Sequence, residues 1–586
     1  MRLVFDLEAD GLLDEVTKIH CIVAQDVDTG EIFEFYNYLK DDTPPASDRC
    51  HGGLVTGMAF LATADELIGH NIQGYDIPVL AKVLGWSPSP ETKITDTLVM
   101  ARVHRPDIGA LDKADPECPK TVFGRHSLDA WGYRVGERKA EYDGGWEKLT
   151  QEMLDYCVQD VRANTKVFLH LESLGLSEQA LALEHAFADE CRQVMDRGWR
   201  FDTEAALELQ RDLEVRQAEI QDELVGMFPG WEIEYETPKT KQKRTKFKPF
   251  NPGSRQQLAQ LFQERHGWKP KVFTDSGQPK VDEKVLEALD FPEAQLAAEN
   301  LMIGKILGMV ATGKAAWLEQ VKDGRIFGFI NHCGANTSRC THRAPNLAQV
   351  PSSGVYGKRC RSLFLGAEGG CLVGGDASGI ELRMLAHYMF PYDNGNLIDV
   401  VLNGDIHQTN FEALKWCPKI NERRDAKAPI YAMLYGAGDV KLGELGGGGY
   451  QMGKKMRAAL YQAIPGFRKL TEAVKAAYND SGSLKALDGR RLYPRGENSA
   501  LNTLLQGAGA VVMKQAVVLA GPLVRRNRGH LVGLIHDEMQ AESSNDRAQE
   551  IGACIKESIV EAGEILGVRC PLDGKYMSGP NWTHTH

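Results

Sequence analysis

The stretch GCLVGGDASGIELR, residues 370–383, decides how this chain is read: an apolar strand pattern runs directly into an acid, Asp376, with Glu381 five residues on. A second apolar run, LVGLIHDEMQAES at 531–543, is interrupted by His536, Asp537 and Glu538. Acids at the ends of two adjacent strands would form a two-metal site, suited to phosphoryl transfer with a triphosphate. Between the two runs lies RRDAKAPIYAMLYGAG, residues 423–438. Arg423, Lys427, Tyr431 and Tyr435 recur every four residues there, which predicts a stripe about 18 Å long on one helix face. Two cations would neutralise a triphosphate and two rings would stack on a base. The alternative is a helix with an aromatic core face and solvated basic residues. Pro429 falls inside this helix, where it removes a hydrogen bond and kinks or costs stability unless it lies near the first turn.

A second set of acids lies near the N-terminus. Asp6 and Glu8 alternate in a strand pattern, LVFDLEAD, so both project from one face. Asp76 closes the segment His70 to Asp76, Asp96 lies in ITDTL, and Tyr156 and Asp160 are spaced i, i+4 on one helix face. Four converging carboxylates repel one another unless cations neutralise them. Two divalent ions about 4 Å apart would do so, and hard oxygen ligands point to Mg²⁺ or Mn²⁺ rather than zinc. A tyrosine beside the last acid could orient an attacking water. Asp96 fits the set less firmly: it reads as a substrate-strand or structural residue as readily as a catalytic one.

The whole chain has 586 residues, too many for one hydrophobic core, so two to four domains are expected. Hydrophobic residues at 43% and charged ones at 25% exclude wholesale disorder. Twelve cysteines contain no CxxC pair, so neither a disulfide scaffold nor a zinc ribbon is indicated, and a reduced compartment fits best. No signal peptide or 18-residue apolar run is read, so a soluble protein is expected. The net charge of −12 leaves the partner open, because phosphate binding depends on where basic residues cluster.

Strand patterns LVFDLEAD, KIHCIVAQDV and EIFEFYNYL come first, and ADELIGHN, DIPVLAKVLG and EMLDYCVQDVRANTKVFLHLESL read as helices. Long helical periodicity covers 178–228 and helices return from 254 to about 318. Between them KTKQKRTKFK, residues 239–248, holds six basic residues in ten and reads equally as a solvated loop or a DNA-backbone contact. The glycine-only run 446–449 lacks a following GK[ST], so a turn is expected rather than a phosphate cradle.

The order DxE, N-x3-YD, Y-x3-D resembles the motifs of DEDDy-type 3′→5′ proofreading exonucleases, whose fold is RNase H-like. That resemblance makes Asp6, Glu8, Asp76 and Asp160 metal ligands and Tyr156 the water-orienting residue. DASGIELR, R-x3-K-x3-Y-x3-YG and HDE resemble motifs A, B and C of family A (DNA polymerase I-like) DNA polymerases. NTSRCTHRAPNLAQVP, GDIH, ALNTLLQGAGA and GPNWTHTH resemble the replicative polymerases of short-tailed coliphages more closely still. The likeness runs through nearly the whole chain in the right order.

The resemblance implies an α/β multidomain chain, an RNase H-like exonuclease followed by a right-hand polymerase. Expected boundaries are exonuclease 1–175, linker helices and thumb 176–325, palm 326–400, fingers 401–486 and palm again 487–586. It implies that Asp376, Asp537 and the Ala377 carbonyl hold two catalytic metals with Glu538 beside them. His407, Arg423 and Lys427 would hold the triphosphate, Tyr431 stack near the incoming base and sugar, and Tyr435 guard the template position. Arg339 and Gln506 would probe the minor groove, where correct pairs share acceptors, and His536 and Asn502 would contact primer or template. Glu381 would occupy the space of a ribose 2′-OH, favouring deoxynucleotides. Tyr431, where many cellular relatives have Phe, implies easy dideoxynucleotide incorporation, which strong rejection in a dideoxy/deoxy competition would refute.

Expected cofactors are two Mg²⁺ per active site, with Mn²⁺ as substitute, and dNTPs are the substrates. Expected partners are primer–template DNA and single-stranded DNA at the exonuclease site, with a phage helicase-primase and a single-strand-binding protein as further candidates. The site of action is the cytoplasm of an infected bacterial host, as a monomer and without a membrane. Only about twenty residues separate the helix ending near Phe228 from Asn251. The thioredoxin-recruiting coliphage polymerases that the chain resembles carry a long thumb insertion there, so the thioredoxin-binding insert is expected to be largely absent, thioredoxin is not an expected partner, and processivity would come from the basic thumb or another partner. No 5′-nuclease domain is expected, since the chain opens on the exonuclease strand. Competing readings are an exonuclease with an inactive polymerase scaffold, a non-catalytic nucleic-acid-binding protein, and an RNA polymerase. The intact acids and cations oppose the first two, and Glu381 with the proofreading motifs opposes the third.

Overall fold

A computed structural model of the chain describes residues 1–37, 50–236, 242–274 and 276–585. The N-terminal unit is built on five strands, β1 (Arg2–Ala9), β2 (Ile19–Asp26), β3 (Ile32–Tyr36), β4 (Glu66–Gly69) and β5 (Lys93–Asp96). They lie in the order β3-β2-β1-β4-β5, with β2 antiparallel to its neighbours and β4 parallel to both of its own. Alternation on β1 divides the unit. Leu3, Phe5 and Leu7 face one apolar layer, whereas Val4 lies in the other, under a helix at Gln151–Ser173. Asp6 and Glu8 share the parity of Val4, so they point toward that helix.

One local reading is corrected here. ADELIGHN is not helical: its centre is β4, four residues all buried between the two layers. Short apolar runs have no period of their own, and pairing with β1 and β5 decides the outcome. DIPVLAKVLG does form a helix, Asp76–Leu84, and the long segment Gln151–Ser173 is one continuous helix capped by Thr150. Tyr38 and Leu39 of the third strand pattern lie outside the described residues.

A helix at Glu178–Arg197 leads out of this unit, and a longer one at Thr203–Met227 packs against another at Pro292–Leu307. Arg216 clasps Glu299 between these two with a pair of 2.9 Å hydrogen bonds. The described part of the basic run is mostly strand. Residues 243–248 lie in the second strand of a hairpin, Gly230–Glu236 paired with Lys243–Pro249, while Lys239, Thr240 and Lys241 fall outside the described residues.

The C-terminal half centres on a four-stranded antiparallel sheet. In sheet order its strands are His530–Ile535, Glu538–Ser543, Cys371–Ala377 and Gly574–Gly579. A helix at Ala500–Arg526, buried along most of its length, runs behind it, and shorter helices from Ile406 to Ser481 pack on the same core. Two helical stretches, Pro292–Gln320 and Glu497–Arg526, are long and apolar enough to cross a membrane. The second is 72% buried inside the protein, as a core helix is. In the first, buried Asn300 donates to the Pro252 carbonyl and accepts from Gln221. The glycine run 446–449 is the corner between two helices that pack so closely that a Cβ on Gly443 would meet the Gly449 carbonyl.

Candidate active sites

The C-terminal acids are brought together by sheet register. Asp376 lies directly opposite Glu538 across the ladder, and the Ala377 amide donates to the Asp537 carbonyl at 3.1 Å. Asp537 sits on a two-residue hairpin corner between Ile535 and Glu538, where His536 takes a left-handed φ of 56°. Asp376 is exposed and Asp537 half-buried at this edge. Glu538 is different: it is buried, and its carboxylate accepts from Trp582 Nε1 at 2.6 Å and from the Gln540 side-chain amide. Trp582 is itself fully buried against Trp199 and Phe364, with the Arg361 guanidinium over its ring at 4.3 Å. Glu538 is therefore locked by the core.

The facing helix departs from the expected stripe. It runs from Lys427 to Leu434, and Arg423 precedes it in a turn. Pro429 is the third residue of the helix, where its missing N–H would be unpaired anyway. The helix starts late enough to accommodate it, which shortens the helical stripe to about 12 Å. Arg423 is held from outside by Asp405, which accepts from its Nε at 2.5 Å and its Nη2 at 3.0 Å. Asp405 also caps the helix Ile406–Leu414 through the amides of His407 and Gln408. The Arg423 hydrogen bond lowers the Asp405 carboxyl to about 2. Burial, then the Lys427 and Arg423 charges, lowers His407, whose buried Nδ1 has no partner.

Tyr431 lies between the rings of His407 and Tyr435, each 6.2 Å away. Burial and then the Glu381 and Asp537 carboxylates raise its phenol, which places this ring beside the acids. The Tyr435 hydroxyl donates to Glu381 at 2.7 Å, and Arg339 approaches the same carboxylate at 3.9 Å. A small pocket lined by Arg339, His536 and Glu538 lies beside the helix that carries Asn502 and Gln506, both half-buried one turn apart. The structure thus assembles Asp376, Asp537, Glu381, Tyr431, Tyr435 and Arg339 from separate elements.

The N-terminal acids form a deeper site. A cleft of about 810 Å³ is lined by Asp6, Glu8, Asp76, Tyr156 and Asp160, and by His332 and Arg343 from far along the chain. Asp76 begins its helix, where the helix dipole favours a carboxylate. Burial, then the Asp6 charge, nevertheless drives Asp76 well above the usual carboxylate range, and the two acids are hydrogen-bonded. Burial and then Asp6 push Glu8 up to about 10 and Asp160 up to about 7. Buried Oδ1 atoms of Asp76 and Asp160 have no hydrogen-bond partner. Crowded acids that hold protons and leave oxygens orphaned are a donor set that fits hard divalent cations.

Two residues at this site were not found from sequence. Lys139 Nζ lies 2.5 Å from Asp160 Oδ2 and 4.9 Å from the centre of the Tyr156 ring. Burial works against its charge, but Asp160 and Tyr156 outweigh that and hold the ammonium above its usual range. Nothing in the loop sequence around Lys139 signals this. Cys157 has its ligand atom within 4.8 Å of those of Asp6 and Glu8. Its i, i+3 spacing to Asp160 on one helix was an available signal. Asp96 lines the same cleft; buried, it caps the helix Thr97–His104 and accepts from the amides of Asn71 and Gln73, fixing the turn that delivers Asp76. Asp405 could have been read from its position just before a helix. Trp582 could not, since its partner Glu538 is 44 residues away.

The DNA polymerase family A profile matches residues 231–584. The DNA-directed DNA polymerases of Escherichia phage T7 and Enterobacteria phage T3 are each 32% identical over 722 positions, covering 100% of this chain and 100% of the relative. Those alignments are longer than this chain, so the relatives carry segments that it lacks. DNA polymerase I of Aquifex aeolicus is 26% identical over 79% of this chain and 82% of its own length. The solved polymerase domain of Pol1 from M. smegmatis, in complex with DNA primer-template and dNTP, matches the fold with a TM-score of 0.76 at 19% identity, covering 99% of this chain and 96% of its own. Membership implies dependence on divalent metal in general. The chain belongs to DNA polymerase family A and is a DNA-directed DNA polymerase homologous to those of phages T7 and T3.

Proposed function

We propose that this polymerase replicates phage DNA in the host cytoplasm with two separate active sites, one for extension and one for 3′→5′ proofreading. The observation that carries this reading is the pair of carboxylate clusters, one at the strand ends of the C-terminal sheet beside Tyr431, the other in its own cleft. The proposed domains are exonuclease 1–175, linker helices and thumb 176–325, palm 326–400 and 487–586, and fingers 401–486.

In the extension site Asp376, Asp537 and the Ala377 carbonyl would hold two Mg²⁺, with Mn²⁺ as substitute. In the other site Asp6, Glu8, Asp76 and Asp160 would hold a second pair. Bound there, such ions supply charge stabilisation to the attacking and leaving oxygens of a phosphodiester. Arg423, Lys427 and His407 neutralise the triphosphate of the incoming dNTP, and Asp405 aims Arg423 by occupying two of its nitrogens. Tyr431 stacks on the base and sugar, Glu381 excludes a 2′-hydroxyl, and Tyr435 guards the template position. Arg339 and Gln506 test minor-groove acceptors, and His536 and Asn502 touch primer or template. Glu538 is a positioning residue. At the second site Tyr156 orients the attacking water against the terminal phosphodiester of single-stranded DNA. Primer–template DNA is the main partner, and thioredoxin is not proposed as one.

Mg²⁺-dependent extension and trimming of a labelled primer–template test this reading. Asp376→Ala is expected to lower extension about a thousandfold or more, the worth of several kcal/mol, and to spare trimming. Asp6→Ala is expected to do the reverse. Loss of both activities from either change would undo the two-site assignment, and trimming by wild type without extension would leave a nuclease on an inert scaffold.

A further inference from the structure

The hairpin Gly230–Glu236/Lys243–Pro249 sorts its charges by face. Directly opposed residues share a face in an antiparallel ladder. Trp231 opposes Lys248, Ile233 opposes Lys246, and Tyr235 opposes Arg244, so one face carries three cations and no acid. Glu232 opposes Phe247, Glu234 opposes Thr245, and Glu236 opposes Lys243, so the other face carries three acids and one cation. Side-chain contacts agree: Lys246 lies over the Tyr235 ring at 5.4 Å and Lys248 over the Trp231 ring at 5.7 Å.

The hairpin's orientation is set at its root. Trp231 packs on Phe228 and Phe250, and its Nε1 donates to Glu264 at 2.6 Å. Farther out the two strands, among the described residues, pair only with each other, and Tyr235, Arg244 and Lys246 are exposed. Alternate residues along a strand are about 6.8 Å apart, so the three cations span about 14 Å. Duplex DNA presents roughly eight phosphate charges over that length. An acidic face on the reverse side repels the same polyanion and leaves one orientation favourable.

We propose that the cationic face of this hairpin is a DNA-backbone contact that holds the primer–template, with Tyr235 as its aromatic element. The proposal deepens the replicative reading above and rests on it for the identity of the polyanion. A protein with an acidic surface is the competing occupant.

The test is the salt dependence of binding between the full chain and a fluorescein-labelled primer–template duplex, measured by anisotropy without divalent metal so that no trimming occurs. Each phosphate contact contributes about 0.9 to the slope of log K against log salt. The variant Arg244→Ala/Lys246→Ala/Lys248→Ala is expected to flatten that slope by about 2 to 3. Lys243→Ala, on the same strand but the opposite face, is expected to leave it unchanged. A triple variant with the wild-type slope would overturn the proposal and assign the face to an acidic protein. So would a Lys243→Ala effect equal to that of Lys246→Ala, since the charges would then act in bulk rather than by face. A steep wild-type slope that the triple variant flattens, in a protein that does not extend primers, would uphold this contact while defeating the replicative reading.

Discussion

The two acidic clusters of this polymerase solve the same electrostatic problem in opposite ways. Near the N-terminus three buried carboxylates, Glu8, Asp76 and Asp160, crowd half-buried Asp6; Asp6 and Asp76 are hydrogen-bonded, and a lysine lies against Asp160. In the C-terminal half Asp376 is exposed and Asp537 half-buried where their strands end, and the cations Arg423 and Lys427 belong to a different element. Burial raises the energy of an uncompensated charge, so the first cluster needs internal compensation before any metal arrives. The second is left open because water screens it. Only Glu538 in the second site is treated like the acids of the first, buried and locked by Trp582.

The largest expected effect tests whether these regions form one folding unit. The helix Glu178–Arg197 that leaves the N-terminal unit buries Glu184 completely, and that carboxylate accepts from Lys514 at 2.7 Å, Arg490 at 2.5 Å and His332 at 2.7 Å. Burial alone would raise Glu184, but Lys514 and Arg490 hold it well below its usual range. Glu184→Gln removes the carboxylate partner of buried Lys514 and leaves Arg490 with Asp488 alone, and is expected to cost about 3–5 kcal/mol in denaturant unfolding. Because the folded carboxyl is depressed, this contribution is complete above the ordinary value of 4.5 and is lost as pH falls below it. The variant's stability should therefore fall less steeply than wild type in that acid range. Equal acid limbs would mean that the two halves do not depend on this lock.

Next in size is Trp582→Phe, which removes a hydrogen bond to the buried Glu538 carboxylate and is expected to cost about 1.5–3 kcal/mol. Extension should slow while trimming keeps its rate, measured on the same primer–template. Trimming that slowed in parallel would blur the contrast between the clusters.

The smallest effect sharpens the contrast itself. Lys139→Met takes away the internal counter-charge of Asp160, so divalent metal should bind the N-terminal site more tightly by about 1–2 kcal/mol, roughly 5- to 30-fold. The Mg²⁺ concentration for half-maximal trimming is expected to drop accordingly, with that for extension unchanged. A rise instead would show that Lys139 serves the substrate phosphate rather than the empty acids.

Much of both sites was legible in the sequence because their geometry is local. Alternation along LVFDLEAD puts Asp6 and Glu8 on one face of a strand, and the i, i+4 spacing of Tyr156 and Asp160 puts them on one face of a helix. The His536–Asp537 break in an apolar run marks a hairpin corner for the same reason. These relations follow from the period of the backbone and need no other part of the chain.

What only the tertiary structure decided are the relations between distant segments. Asp376 and Glu538 meet because their strands pair, Lys139 reaches Asp160 from a loop, Asp405 captures Arg423, and Trp582 fixes Glu538 from near the C-terminus. ADELIGHN became a strand because two neighbouring strands claimed its backbone, and residues 243–248 of the basic run became part of a charge-sorted hairpin because a partner strand set their register. The physical reason is common to all of them. Backbone periodicity assigns each side chain a direction, but the neutralisation of a buried charge and the pairing of a short apolar run depend on which segment folds against it.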